Sequence, residues 1–96
     1  MTIAYSAPRL GRYQAALAAV ARCFELEIAD LAGPSRRQRV VKARDAASYV
    51  LYQEYGCTLV EVGALLGGRH HSSVLRAVRR ERRRQTKRQH AEEAFA

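Results

Sequence analysis

Between Thr58 and Val78 the chain reads TLVEVGALLGGRHHSSVLRAV, and Gly67-Gly68 cuts this stretch into two apolar-periodic pieces. Thr58 followed three residues later by Glu61 has the spacing of a capping box, in which the hydroxyl satisfies an orphan backbone N–H while the carboxylate reaches back. A helix therefore starts at about Leu59, with Leu59, Val62 and Leu66 facing inward. Consecutive glycines end it, because glycine is a poor helix former and takes turn conformations closed to other residues. Past the break, Val74, Leu75 and Val78 recur at helical spacing, so a last helix begins near His71. A short helix, a glycine-containing turn and a second helix form the layout of a helix-turn-helix.

The rest of the chain reads as all-helical. From Arg12 to Phe24 the apolar positions Tyr13, Ala16, Leu17, Val20, Ala21 and Phe24 fall on one face of an amphipathic helix. A short helical turn through Ile28 and Leu31 follows, stopped by Gly33-Pro34, since proline cannot donate to a continuing helix and restricts the residue before it. SRRQRVVK, residues 35–42, is expected as a basic loop. Residues 43–55 give a third long helix with Ala43, Ala46, Ala47, Val50 and Leu51 on one face, and Gly56 stands where a left-handed C-terminal cap is needed. Residues 1–11 contain Pro8 and Gly11, show no period and are expected as a flexible arm. The domain then spans 12–84, and 85–96 form a basic-polar tail expected as a solvated helix that frays or is disordered unless it orders on binding.

Charge narrows the function. The 96 residues carry a net +8, and the excess is one-sided: residues 1–35 hold three basic and three acidic side chains, residues 36–88 fourteen and four. Such a surface attracts polyanions, nucleic acid foremost. An acidic membrane would require large apolar residues on the basic face, which the most basic segment lacks. Cys23 and Cys57 belong to no CxxC or Cys/His ligand spacing and read as reduced thiols of a cytoplasmic protein. No apolar run approaches a spanning helix, and the N-terminus lacks the apolar core of a signal peptide.

The paired histidines invite a metal reading, but adjacent helical side chains point about 100° apart and cannot grip one ion as i, i+4 histidines do. No neighbouring carboxylate or nucleophile supplies the partner a histidine base needs, so neither metal, cofactor nor catalysis is expected. Instead, Arg69, His70, His71, Ser72 and Ser73 place short donors and acceptors at a helix N-terminus, where they reach base edges or phosphates.

VGALLGGRHHSSVLRAVRR resembles the signature of the C-terminal DNA-binding domain of the bacterial replication initiator DnaA, similar to IGxxFGGRDHSTVLHAxRK, and the similarity runs from about Arg12 to Arg84. The resemblance implies a Trp-repressor-like all-helical fold and binding of double-stranded DNA at boxes similar to TTATCCACA. It implies His70, His71, Ser72 and Ser73 in the major groove and Arg36 in the minor groove, with Arg37 as the nearest rival. It further implies phosphate contacts at Arg37, Arg39, Lys42, Arg44, Arg69, Arg79 and Arg80 and at the amide end near Leu59. His70 departs from the family's acidic residue, which alters the expected base preference at that position. No GxxxxGK[ST] phosphate loop occurs in the chain, so the expectation is the reading head as a stand-alone protein, cytoplasmic and associated with the nucleoid. It would occupy boxes in competition with the initiator or regulate transcription. The rivals are a transcription regulator with an unrelated operator and a protein-interaction module that docks its arginine tail on an acidic partner.

Overall fold

The computed structural model describes residues 2–95, with side chains described for residues 11–94. Its described residues contain five α-helices and no strand: α1 (Thr2–Cys23), α2 (Ile28–Ala32), α3 (Gln38–Tyr49), α4 (Leu59–Leu65) and α5 (His71–Phe95). α3 continues without a break into one wider, π-type turn over Val50–Glu54, where Tyr55 N–H donates to the Val50 carbonyl at 3.2 Å. Gly56 follows with φ +69°, the left-handed residue expected at that end.

One core joins all five helices. Leu17 and Ala21 of α1, Leu31 of α2, Ala43 and Ala47 of α3, Leu51, Val62 of α4, Leu66, and Val74 and Val78 of α5 are all buried. The inward stripes follow the predicted spacing, with Val20, Phe24, Ala46, Val50, Leu59 and Leu75 only half-buried at their margins and Ala77 added on α5. α5 packs chiefly on α3 and next on α4.

Two boundaries differ from the sequence reading, and the tail takes the helical one of its expected forms. α3 begins at Gln38 rather than Ala43, because Val40 is buried and continues the Ala43, Ala47 stripe one turn upstream; only Pro34–Arg37 remain extended. Residues 2–11, expected as an arm, carry helical backbone continuous with α1, and residues 85–95 continue α5. An apolar period marks the buried part of a helix, and past Arg84 good helix formers carry the backbone of α5 beyond it; residues 2–11, which include Pro8 and Gly11, are not such a run. Met1 of the expected arm and Ala96 of the tail lie outside the described residues.

The turn between α4 and α5 is set by backbone contact. Thr58 and Glu61 form the capping box, with Thr58 N–H donating to the glutamate at 2.8 Å and Glu61 N–H to the threonine hydroxyl at 3.1 Å. At the other end of α4, Gly68 and Arg69 N–H groups both donate to the Gly63 carbonyl at 2.9 Å. Gly67 and Gly68 have φ +79° and +81°, and a Cβ on Gly67 would overlap the Ala32 carbonyl oxygen, whereas one on Gly68 would meet open space. Gly63 is equally confined, since its Cβ would overlap the Arg69 carbonyl.

A buried charge ties α5 to α3. Asp45, 1% exposed, accepts from Arg80 Nε and Nη2 at 2.9 Å each and from Arg84 Nη1 at 2.8 Å. Glu81, also buried, accepts from Arg84 at 3.4 Å and from Gln85 at 3.2 Å. The hydrogen bond to Asp45 raises the affinity of the Arg80 guanidinium for its proton, against the opposing effect of burial.

Two stability measurements check this account. Gly67→Ala combines a left-handed alanine with a backbone overlap and is expected to cost about 3 kcal/mol or more, against about 1 kcal/mol for Gly68→Ala, where only the conformation is unfavourable. Denaturant unfolding of the two variants separates the two costs, and equal losses would mean that the turn does not press on α2. Asp45→Ala is expected to lose about 3 kcal/mol, the lower end of the range for breaking a buried ion pair, because both arginines reach solvent. A loss under about 0.5 kcal/mol would place the Asp45 cluster among exposed pairs.

Candidate nucleic-acid interface

The N-terminus of α5 carries the four side chains expected to read bases. His70, His71 and Ser72 are exposed and Ser73 is half-buried. His70 stands in the cap position: its Nδ1 accepts the Ser72 backbone N–H at 3.2 Å and lies 2.8 Å from Ser72 Oγ. The imidazole thus does what a short polar side chain usually does at a helix start, satisfying an orphan donor of the first turn. The His70 and His71 rings stack with centroids 4.0 Å apart and planes tilted by 34°. His70 is therefore partly committed to the helix it was expected to read from, as is Ser72 through its contact with His70, and Ser73 is half-buried. Among the described residues no group of three metal-ligating side chains comes together.

Arg36 and Arg37 lie exposed on the extended segment after α2, and the position of that segment is fixed by two other arginines. Arg44, from α3, donates through Nε to the Leu31 carbonyl at 2.8 Å and through Nη2 to the carbonyls of Gly33 and Ser35 at 3.1 Å each. Arg69, from the α4–α5 turn, donates through Nη2 to the Gly33 carbonyl at 2.6 Å and through Nη1 to the carbonyls of Ala32 and Leu66. All but the Ser35 carbonyl are ones that a helix end leaves without intrahelical donors. Two half-buried cations therefore meet on one helix terminus, where the negative end of the helix dipole stabilises them. Burial, followed by the charge of Arg69, lowers the Arg44 guanidinium from its ordinary value, with Asp45 opposing.

Arg39 makes the same kind of contact at the end of α1. Its Nε donates to the Phe24 carbonyl at 2.9 Å, beside Glu25, which turns the chain with φ +58°. Of the residues expected on phosphate, then, Arg39, Arg44, Arg69 and Arg80 have acceptors inside the protein. Arg37, Lys42 and Arg79 are exposed and have no ion-pair partner among the described residues. Arg44, Arg69, Ser73 and Arg80 are brought together along one shallow polar cleft between α3 and α5. Lys42 is not part of it, and lines a second groove with Phe24, Arg84 and Lys87. The amide end of α4 at Leu59 follows the capping box, which occupies the N–H groups of Thr58 and Glu61.

Sequence reasoning missed Arg76, which lies exposed one turn past Ser72 and donates to Ser73 Oγ at 3.4 Å. Its i, i+4 spacing from Ser72 was the available signal. No helix among the described residues is long and apolar enough to cross a membrane.

Residues 14–80 match the family model described as bacterial dnaA protein helix-turn-helix. The chain is 47% identical over 62 residues to the chromosomal replication initiator protein DnaA of Thermomicrobium roseum, covering 65% of this chain and 13% of that protein. It is 37% identical over 62 residues to the DnaA of Roseiflexus castenholzii and 39% identical over 59 residues to that of Microcystis aeruginosa, again spanning 13% of each. No solved structure matches. With the family model covering residues 14–80, from the second half of α1 into the first half of α5, the chain belongs to the bacterial DnaA helix-turn-helix family.

Proposed function

We propose that this chain is a sequence-specific duplex-DNA-binding module that recognises sites similar to DnaA boxes, and that its output is regulatory, through occupancy of such sites in competition with the initiator. The observation that carries the reading is the coupling of two exposed elements. The α5 N-terminus, with His71, Ser72 and Ser73, suits the major groove. The Arg36-Arg37 segment suits an adjacent minor groove, and Arg44, Arg69 and the close approach of Gly67 hold it in fixed relation to α5. In this proposal Arg37, Lys42, Arg79 and the amide end at Leu59 take phosphates, and Arg39 and Arg80 add those donors they do not use internally. Arg44 and Arg69 act by positioning the loop, with phosphate contact secondary. The reading is of a binding module rather than an enzyme, with no cofactor, acting in the cytoplasm on the nucleoid.

A second reading, a transcription regulator with its own operator, draws support from His70. A carboxylate at this position accepts from a cytosine amino group, and an imidazole engaged at Nδ1 keeps only Nε2 for a base. Selection from a random duplex pool separates the two: a box similar to TTATCCACA supports the first reading, an unrelated motif the second, and recovery of no motif overturns both. Profiled in parallel, His70→Asp is expected to move preference toward cytosine at one base pair by about 1 to 3 kcal/mol. Superimposable profiles for the two proteins would reduce His70 to a cap.

Arg36→Ala is expected to lose most affinity on sites with an A·T-rich flank, because a guanidinium gains from the stronger negative potential of a narrow minor groove. Titrations against matched A·T and G·C flanks check this. Equal losses would make Arg36 a phosphate contact and pass the minor-groove role to Arg37.

A further inference from the structure

α5 does not end where the domain does. It runs 25 residues, and past Val78 its inward side is only Glu81, buried, with Arg84 and Gln85 half-buried; everything from Thr86 to Ala94 is exposed. The basic residues of this helix divide by direction. Arg80 and Arg84 donate to Asp45, and Arg82 donates to Gln53 at 3.0 Å. Arg76, Arg79, Arg83 and Lys87 succeed one another at spacings of three and four along the outer side, all exposed and without ion-pair partners among the described residues, with Lys87 also at the rim of the groove that Arg84 and Arg88 line. The same row runs back to Ser72 at the reading end and forward to His90. No acidic side chain of α5 lies in it, since Glu81 faces the core and Glu92 and Glu93 are out of step.

Like charges at i, i+3 and i, i+4 repel and weaken a free helix. The row is thus an arrangement that a solvated helix gains nothing from and a polyanion stabilises. Its four cations span about 16 Å at a rise of about 1.5 Å per residue, over which one DNA strand presents a phosphate about every 3.4 Å of axis. A membrane surface fits poorly, as the row contains no large apolar residue. Geometry also fixes where the contact falls. Arg83 lies about 18 Å along the axis from His71, farther than the roughly 12 Å width of a major groove.

We propose that the outward face of α5, with Arg83 and Lys87 at its distal half, is a second, sequence-independent surface for duplex phosphates outside the box that the α5 N-terminus reads. This rests on the duplex-binding reading above. It makes α5 a helix with two tasks, reading at its start and backbone anchorage beyond the folded domain. The phosphates belong either to the flank of the same duplex or to a second duplex, and the chemistry is the same.

The test compares two double variants of equal charge in the full chain: Arg83→Gln with Lys87→Gln, on the row, and Arg82→Gln with Arg88→Gln, off it. Glutamine retains helix propensity, and circular dichroism checks that helicity is unchanged. Affinity is read by anisotropy against a salt series for a duplex of about 30 base pairs with TTATCCACA at its centre, and for one of about 12 base pairs. On the long duplex the on-row pair is expected to lose about tenfold and to flatten the slope of log affinity against log salt by about 2, that is, about 0.9 for each lost phosphate. The off-row pair is expected to stay within about twofold. If the difference vanishes on the short duplex, the phosphates are those of the flank; if energy transfer between donor- and acceptor-labelled short duplexes appears with wild type and is lost in the on-row pair, they are those of a second duplex. Equal losses in the two pairs would reduce the row to undirected charge, and no loss in either would leave it to an acidic protein partner; both overturn the proposal. Failure of the wild type to bind either duplex overturns the duplex reading itself and is recognised separately.

Discussion

The arrangement of this domain depends on how it terminates short helices. α2 has only five residues, so most of its carbonyls lie in a terminal turn with no intrahelical donor. Leaving them buried and unpaired would cost more than the helix gains. Arg44 and Arg69 reach them from two directions, one from the middle of α3 and one from the turn that opens α5. A guanidinium is suited to this, because its fixed fork of donors bridges successive carbonyls and keeps its charge at any relevant pH. The result is a joint among three elements that are far apart in sequence, and it lies directly behind the segment carrying Arg36 and Arg37.

The second joint is ionic. Asp45 is almost wholly removed from water, which would be costly for a lone carboxylate, and three guanidinium donors from α5 compensate. The arrangement also partitions the arginines of α5. Those turned toward α3 neutralise Asp45 and Glu81, so their charge is spent within the protein, while those turned outward determine the field that an approaching polyanion meets. The formal +8 of the chain therefore overstates the internal repulsion and understates the asymmetry of the surface.

Most of the helical layout was legible because it is written in short-range chemistry. The Thr58–Glu61 cap, the Gly67-Gly68 break and the apolar spacing on α1, α4 and α5 each depend on a few neighbouring residues. The start of α3 was not, since Arg37, Arg39 and Lys42 around Val40 look like a solvated loop, and only packing reveals that Val40 faces inward. The same limit applies to the site. Every arginine is a candidate phosphate ligand in sequence, and nothing local distinguishes Arg79, which faces solvent, from Arg44 or Arg69, which hold backbone carbonyls. Asp45, between Arg44 and Ala46, reads as a surface charge until Arg80 and Arg84 are seen on it from a helix 35 or more residues away. His70 was legible as a departure from the family pattern, but its capping of Ser72 is a matter of ring orientation.

The acceptors gripped by Arg44 and Arg69 are main-chain oxygens, and every residue type supplies one. The clamp is consequently blind to which side chains stand at Arg36 and Arg37, provided the backbone keeps its course. A lineage is then free to exchange the exposed residues of this segment, and so to explore new partners for it, without retuning how the segment sits beside α5. Orientation and chemical identity are inherited separately in this domain, and that separation gives an otherwise compact scaffold a route to diversify.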